Sequence, residues 1–168
     1  PDAYALVSSL LDGIIERTVP PFTLSKLEGD AVFVYALDGE AVPRGDAFLA
    51  CLRDCYAEFR GRLASAGEIW SCRCDACARI STLDLKFVVH AGPFVIQSIA
   101  GREELVGSEV VLAHRLLKSG AEAAVGRPAY ALITAAAAHR NDLPLLAAVP
   151  LIEHVDHYEP VEAFVFRL

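Results

Sequence analysis

The hydrophobic period of this sequence switches repeatedly between helical and strand spacing, and proline or glycine punctuates the switches. Ala3, Leu6, Val7, Leu10, Leu11 and Ile14 recur at helical spacing until Pro20-Pro21 stops the pattern. From Phe22 the spacing is that of a strand. Gly29-Asp30 then predicts a tight turn, and Ala31 to Leu37 run back as a Val- and aromatic-rich partner strand. A second helix follows, with Asp46 as N-cap, Phe48, Leu52, Cys55, Phe59 and Leu63 inward, and Gly67 at its end.

"LDLKFVVH" and "FVIQSIAG" read as a second strand pair turned at Ala91-Gly92-Pro93. A third helix begins after Gly107, with Val110, Val111, His114 and Leu117 on its inner side and Gly120 past its end. "YALIT" and the alanine run to His139 predict a short strand and a short helix. "PLIEHVDHY" and "EPVEAFVFRL" close the chain as a hairpin bent at Glu159-Pro160. The order fits an α/β (α+β) fold in one domain spanning residues 1–168. With a strand ahead of Pro1 the first part becomes a ferredoxin-like β-α-β-β-α-β unit, a mixed sheet with helices on one face.

Bulk properties narrow the class. At 168 residues with 54% hydrophobic and 22% charged side chains, the chain carries enough apolar surface for its own core. A formal charge of −7 and scattered basic residues argue against a nucleic-acid partner. No apolar run approaches the roughly 20 residues of a spanning helix, and no basic-then-apolar leader opens the sequence, so the expectation is no membrane and a cytoplasmic location. Five cysteines, three of them in "CRCDAC", suit reduced thiols or a metal clip better than a secreted disulfide framework.

Cys72, Cys74 and Cys77 are spaced C-x-C-x-x-C, which lets three thiolates reach one tetrahedral zinc at about 2.3 Å each. Cys55 is the candidate fourth ligand and Cys51 the reserve. The alternative is a loop of reduced thiols, with Cys51 and Cys55 as small core residues.

Three motifs in register carry a resemblance. "KLEGD" (Lys26 to Asp30), "HAG" (His90 to Gly92) and "GSEVVLAHRL" (Gly107 to Leu116) resemble, in order and spacing, the signatures of class III nucleotidyl cyclase domains, the fold of adenylate and guanylate cyclases. The joined pattern "CRCDACARISTLDLKFVVHAG" and "GSEVVLAHRLLKSG" resembles more closely an uncharacterised bacterial offshoot of the cyclases, a domain family of unknown function.

The resemblance implies a homodimer that binds a nucleoside triphosphate or another nucleotide, with cyclisation and pyrophosphate release as the reaction. It assigns Asp30 to a magnesium or manganese ion, Lys26 and Glu104 to the base, and Arg115 to the charge on the transferring phosphate. Each has a plainer account. Asp30 is also a turn residue tolerant of positive φ, Lys26 a solvated strand residue, Glu104 part of a charged loop, and Arg115 an outward arginine paired with Glu109 or a neighbouring subunit. His90 reads as a packed or turn-bonded histidine.

The sequence also departs from the cyclase pattern. Val111 stands where the family has a ribose-orienting asparagine, and the closing hairpin offers His154 and His157 where the family has a phosphate-gripping lysine. The first metal-binding aspartate of the family lies on an opening strand, which is expected to be missing from this chain. These departures point to weak turnover or to an inactive nucleotide-binding or regulatory dimerisation module.

Overall fold

The computed structural model describes residues 2–69, 79 and 82–168. Its contacts divide the chain into two compact units, residues 1–43 with 50–84, and 44–49 with 85–168.

The first unit holds helix α1 (Asp2–Thr18), the strands β1 (Thr23–Glu28) and β2 (Ala31–Tyr35), and most of helix α2 (Asp46–Ile69). Leu6, Leu10 and Ile14 of α1 are buried, as the helical spacing predicts, and so are Leu52, Cys55, Phe59 and Leu63 of α2. The helix α2 runs through Gly67 to Ile69, so the expected stop at that glycine is corrected. Arg62 of α2 reaches over α1: its NH1 donates to the Ser9 carbonyl at 2.9 Å and its Nε to Glu58 at 2.8 Å, and it also pairs with Glu16. Gly13 leaves the room for this, since a Cβ there would sit 2.6 Å from Arg62 Nε.

Strands β1 and β2 pair antiparallel, with Glu28 opposite Ala31, so Gly29 and Asp30 form a two-residue turn. Gly29 takes φ +65, the conformation that the first turn position of a type II′ hairpin reserves for glycine. Asp30 is not among the residues of positive φ. Tolerance of that conformation therefore does not account for an aspartate here.

Cys55 is fully buried and Cys51 partly so. Burial, with a smaller contribution from Cys51, pushes the Cys55 thiol up to about 12. An unfolded cysteine ionises at lower pH, so between the two values unfolding releases a proton and stability falls as pH rises. Chemical unfolding followed from pH 8 to 11 is expected to show a shallower loss in Cys55→Ala than in the parent chain. Parallel curves would show that Cys55 contributes nothing to the alkaline slope.

The second unit is built on a four-stranded mixed sheet ordered β3-β6-β8-β7, from β3 (Lys86–Val89), β6 (Tyr130–Thr134), β7 (Val149–Glu153) and β8 (Val161–Arg167). Strand β3 runs parallel to β6, β8 runs antiparallel to both β6 and β7, and the closing hairpin is as expected. Every residue of β6 is buried, the signature of a central strand covered on both faces. Tyr130 and Leu132 of β6, Ala163 and Val165 of β8, Leu112 and Leu116 of the third-helix segment, and Ala121 and Val125 just beyond it share one core.

Two further strands, β4 (Val95–Ile99) and β5 (Arg102–Val106), make a separate antiparallel pair with Ile99 opposite Arg102. This corrects the expected hairpin at Ala91-Gly92-Pro93. Strand β3 finds its partner across the chain in β6, and β4 pairs with a strand that the charged run Arg102-Glu103-Glu104 had hidden. Period alone does not choose a strand's partner.

Helix α3 (Ser108–Arg115) continues as a 3-10 turn (Leu116–Lys118) and is followed by α4 (Ala121–Val125). Gly120 thus precedes α4 rather than ending α3. The expected inner side of α3 is also corrected: Leu112 and Leu116 are buried, whereas Val111 is 47% exposed. Helix α5 (Ala135–Arg140) follows β6 directly, capped by Thr134, whose hydroxyl accepts from the Ala137 N–H.

Candidate functional site

The last turn of α3 and the turn between β7 and β8 face each other across an open groove of about 500 Å³. Val111, Arg115 and Lys118 line it from the helix side, and Glu153, His154, Asp156 and His157 from the hairpin. Two bonds tie the hairpin turn to the helix. Arg115 NH1 donates to the Asp156 carbonyl at 2.7 Å, and the Tyr158 hydroxyl donates to the Ser108 carbonyl at 2.8 Å. The Arg115 guanidinium also lies 5.7 Å from the centre of the Tyr158 ring, within cation–π range.

Arg115 is thereby held in place although it is exposed. This corrects the expected pairing with Glu109. His157 sits at φ +70, a left-handed conformation uncommon outside glycine, at the tip of the same turn. Among the described residues, the Arg115 Nε and NH2 donors and the Lys118 ammonium make no hydrogen bond, so both remain available to an anion. Lys118 was missed in the sequence, although its place three residues after Arg115 puts it one turn along the same face.

Glu109 has another partner. His90, at the end of β3, contacts Thr134 Oγ1 through Nδ1 at 3.0 Å and Glu109 Oε2 through Nε2 at 2.8 Å, and its side chain is only 8% exposed. Glu109 is a carboxylate acceptor at this contact, so the Nε2–H donates to it and the Thr134 hydroxyl satisfies Nδ1. The packed reading of His90 stands, and the His-Ala-Gly signature acquires a reason. A Cβ on Gly92 would meet Glu109 Cγ at 2.5 Å and Cβ at 2.9 Å. Nothing local in the sequence announced Glu109 as the partner of a histidine nineteen positions away.

Lys26 and Asp30 share the β1–β2 hairpin of the first unit, with Lys26 Nζ 3.2 Å from Glu28 and Asp30 exposed at the turn. Glu104 and Arg115 belong to the second unit. Glu104 stands on β5 opposite Gln97, which corrects its expected place in a loop. His114 is half-buried and its Nδ1 lies 2.7 Å from the Val110 carbonyl one turn back. Among the described residues no group of three or more His, Cys, Asp or Glu is arranged to hold a metal ion. Cys72, Cys74 and Cys77 lie outside the described residues. Full burial favours the protonated Cys55 thiol over the thiolate that a zinc site needs.

The comparisons bear on fold more than on chemistry. A family model described as "Protein of unknown function (DUF2652)" matches residues 7–124. An uncharacterised protein of Mycobacterium tuberculosis, Rv2561/Rv2562, is 33% identical over 115 residues, which are 67% of this chain and 51% of that protein. The chain therefore spans about half the length of the curated relative it matches. The crystal structure of the guanylyl cyclase Cya2 superposes with a TM-score of 0.58 at 12% identity, covering 98% of this chain and 79% of that one. At that identity the likeness establishes a cyclase-like fold. Among the described residues no helix is long and apolar enough to cross a membrane.

Proposed function

The chain belongs to the DUF2652 family of proteins of unknown function, and we propose that it is a nucleotide-binding domain of cyclase descent whose Arg115 groove receives the phosphate of the nucleotide. The observation that carries this reading is the immobilised guanidinium of Arg115. It is clamped to the Asp156 carbonyl and the Tyr158 ring, with Lys118, His154 and His157 around it. A fixed planar cation with spare donors suits an oxyanion better than a solvated side chain does, because little rotamer freedom is lost on binding. His154 and His157 take the place where cyclases present a lysine, and both line the groove.

In this reading a nucleoside triphosphate is converted slowly to a cyclic nucleotide and pyrophosphate. Arg115 neutralises charge developing on the transferring phosphate, and Lys26 and Glu104 contact the base. Asp30 would offer one hard oxygen to a magnesium or manganese ion that arrives with the triphosphate. A single carboxylate on an exposed turn does not make a metal site by itself, so no step depends on an ion already held by the protein.

The partner is a second copy of the chain, with Asp30 acting from one protomer and Lys26, Glu104 and Arg115 from the other. Support comes from the β4–β5 pair, where Val95, Ile96, Ile99 and Val106 are all more than a third exposed. A two-stranded ribbon with apolar residues in water on both faces is marginal unless something covers it. The C-x-C-x-x-C segment would supply a zinc staple where Cys72, Cys74 and Cys77 recruit a fourth ligand.

A second reading, an inactive nucleotide-binding or regulatory dimerisation module, is favoured by Val111. This side chain is exposed in the groove one turn before Arg115 and has no hydrogen-bonding atom to orient a ribose. Loss of one such contact lowers a rate by ~10²- to 10³-fold.

One experiment separates the readings. The chain is incubated with each nucleoside triphosphate and manganese, and pyrophosphate is measured for the parent, Asp30→Ala, Arg115→Ala, and a mixture of the two variants. Slow release by the parent, loss in each variant and partial recovery in the mixture are expected for a shared-site dimer. Equal release by all samples, or none by any, removes the enzyme reading; two dead variants that fail to complement each other remove the shared site.

A further inference from the structure

Four charged side chains line the groove. Arg115 and Lys118 bring two positive charges; Glu153 and Asp156 bring two negative ones. With His114, His154 and His157 counted as neutral, the lining sums to zero. Glu153 is committed to the Gly120 N–H, which its Oε1 accepts at 2.7 Å, and so stays beside the groove as a fixed carboxylate. The Asp156 carbonyl accepts from Arg115, which ties the backbone of the residue carrying the second carboxylate to the groove. The Glu153 charge cannot leave without breaking a contact that shapes the site, and the Asp156 charge stays on the turn that Arg115 anchors.

A balanced lining discriminates between phosphate ligands. A triphosphate brings several negative charges; Arg115 and Lys118 answer two of them, and the remainder add to a lining that already carries Glu153 and Asp156. Like charges a few ångströms apart repel even in water, and more strongly beside a protein surface. A phosphodiester brings one negative charge shared by two non-bridging oxygens, and a single guanidinium edge satisfies both. The open edge of Arg115, with Nε and NH2 unused among the described residues, matches that geometry.

We infer that the groove is selective for a singly charged nucleotide phosphodiester, a cyclic nucleotide, over the nucleoside triphosphate. This rests on the nucleotide reading of the same groove and deepens it. A domain with this preference retains the product of a cyclase reaction better than the substrate, and so acts as a receiver of cyclic nucleotide. Val111 is consistent with such a role, because a receiver has no need to orient a ribose hydroxyl for attack.

Titration calorimetry on the whole chain tests this with 3′,5′-cyclic adenosine and guanosine monophosphates, the 5′-monophosphates and the triphosphates, each in EDTA. One cyclic nucleotide is expected to bind at least ~10-fold tighter than its triphosphate, with the doubly charged 5′-monophosphate between them. Arg115→Ala should abolish cyclic-nucleotide binding. Asp156→Asn, which removes one repelling charge and keeps the backbone carbonyl, should narrow the gap by several-fold through tighter triphosphate binding. Equal or tighter triphosphate binding by the parent chain overturns the inference and leaves the nucleotide reading intact, as does an unchanged gap in Asp156→Asn. Absence of binding by every nucleotide overturns both.

Discussion

Replacing Gly92 by alanine is expected to destabilise the fold by about 2–3 kcal/mol, an effect out of proportion to one methyl group on an exposed loop. The added Cβ meets Glu109 Cγ at 2.5 Å, Oε2 at 2.8 Å and Cβ at 2.9 Å. Because the last of these is fixed to the helix backbone, rotating the side chain does not clear it, and the start of α3 has to move. The carboxylate then leaves His90, whose Nε2–H is left facing protein at a nearly buried position. An unmet buried donor costs ~1–3 kcal/mol, and displacement of the helix adds to it. Urea unfolding of Gly92→Ala, Glu109→Ala and the double variant checks this. Glu109→Ala removes the Cγ and Oε2 clashes in advance, so Gly92→Ala should cost clearly less in that background. Strictly additive losses would mean that the glycine and the carboxylate do not meet.

Leu132→Ala is the second large effect, expected to lower stability by about 3 kcal/mol. Leu132 is completely buried on β6, a strand held between β3 and β8, in the cluster that also contains Leu112, Leu116, Ala121 and Val165. The void left by truncation is walled by hydrogen-bonded strands, which relax little, so the cavity contribution persists. Val95→Ala serves as the contrast. That side chain is 53% exposed on β4, and its loss should stay within ~0.5 kcal/mol in the isolated chain. A Leu132→Ala loss no larger than that of Val95→Ala would contradict the central place of β6. The exception is informative: if the β4–β5 ribbon is buried between two copies, Val95→Ala weakens association while leaving each copy folded.

These two predictions fall on opposite sides of what a sequence reading can reach. Leu132 lies in a short run, "YALIT", recognised as a strand from its apolar continuity, and the buried stripes of α1 and α2 followed from helical spacing alone. Such features are legible because side-chain period and burial are set locally by backbone geometry. Gly92 is different. Its reason is a carboxylate from α3, brought to it only when β3 pairs with β6 and the helix is laid down beside them.

The candidate site divides in the same way. Arg115, His154 and His157 were found by spacing and resemblance, and the fold gathers them at one groove. Lys118 was within reach of the one-turn rule and was missed. The Arg115 clamp on the Asp156 carbonyl and Tyr158, and the His90–Thr134–Glu109 chain, had no sequence signal at all. Their partners are separated by 19 to 44 positions and meet through strand pairing.

What the sequence determined by itself is therefore the set of elements and the residue types that carry charge or fill the core, since both depend on interactions within a turn of helix or a few residues of strand. Tertiary structure alone decided which strands are neighbours, which side of α3 is buried, and which carboxylate answers which cation. Those choices minimise unpaired polar groups and exposed apolar surface over the whole unit, and no short window of the chain contains that sum.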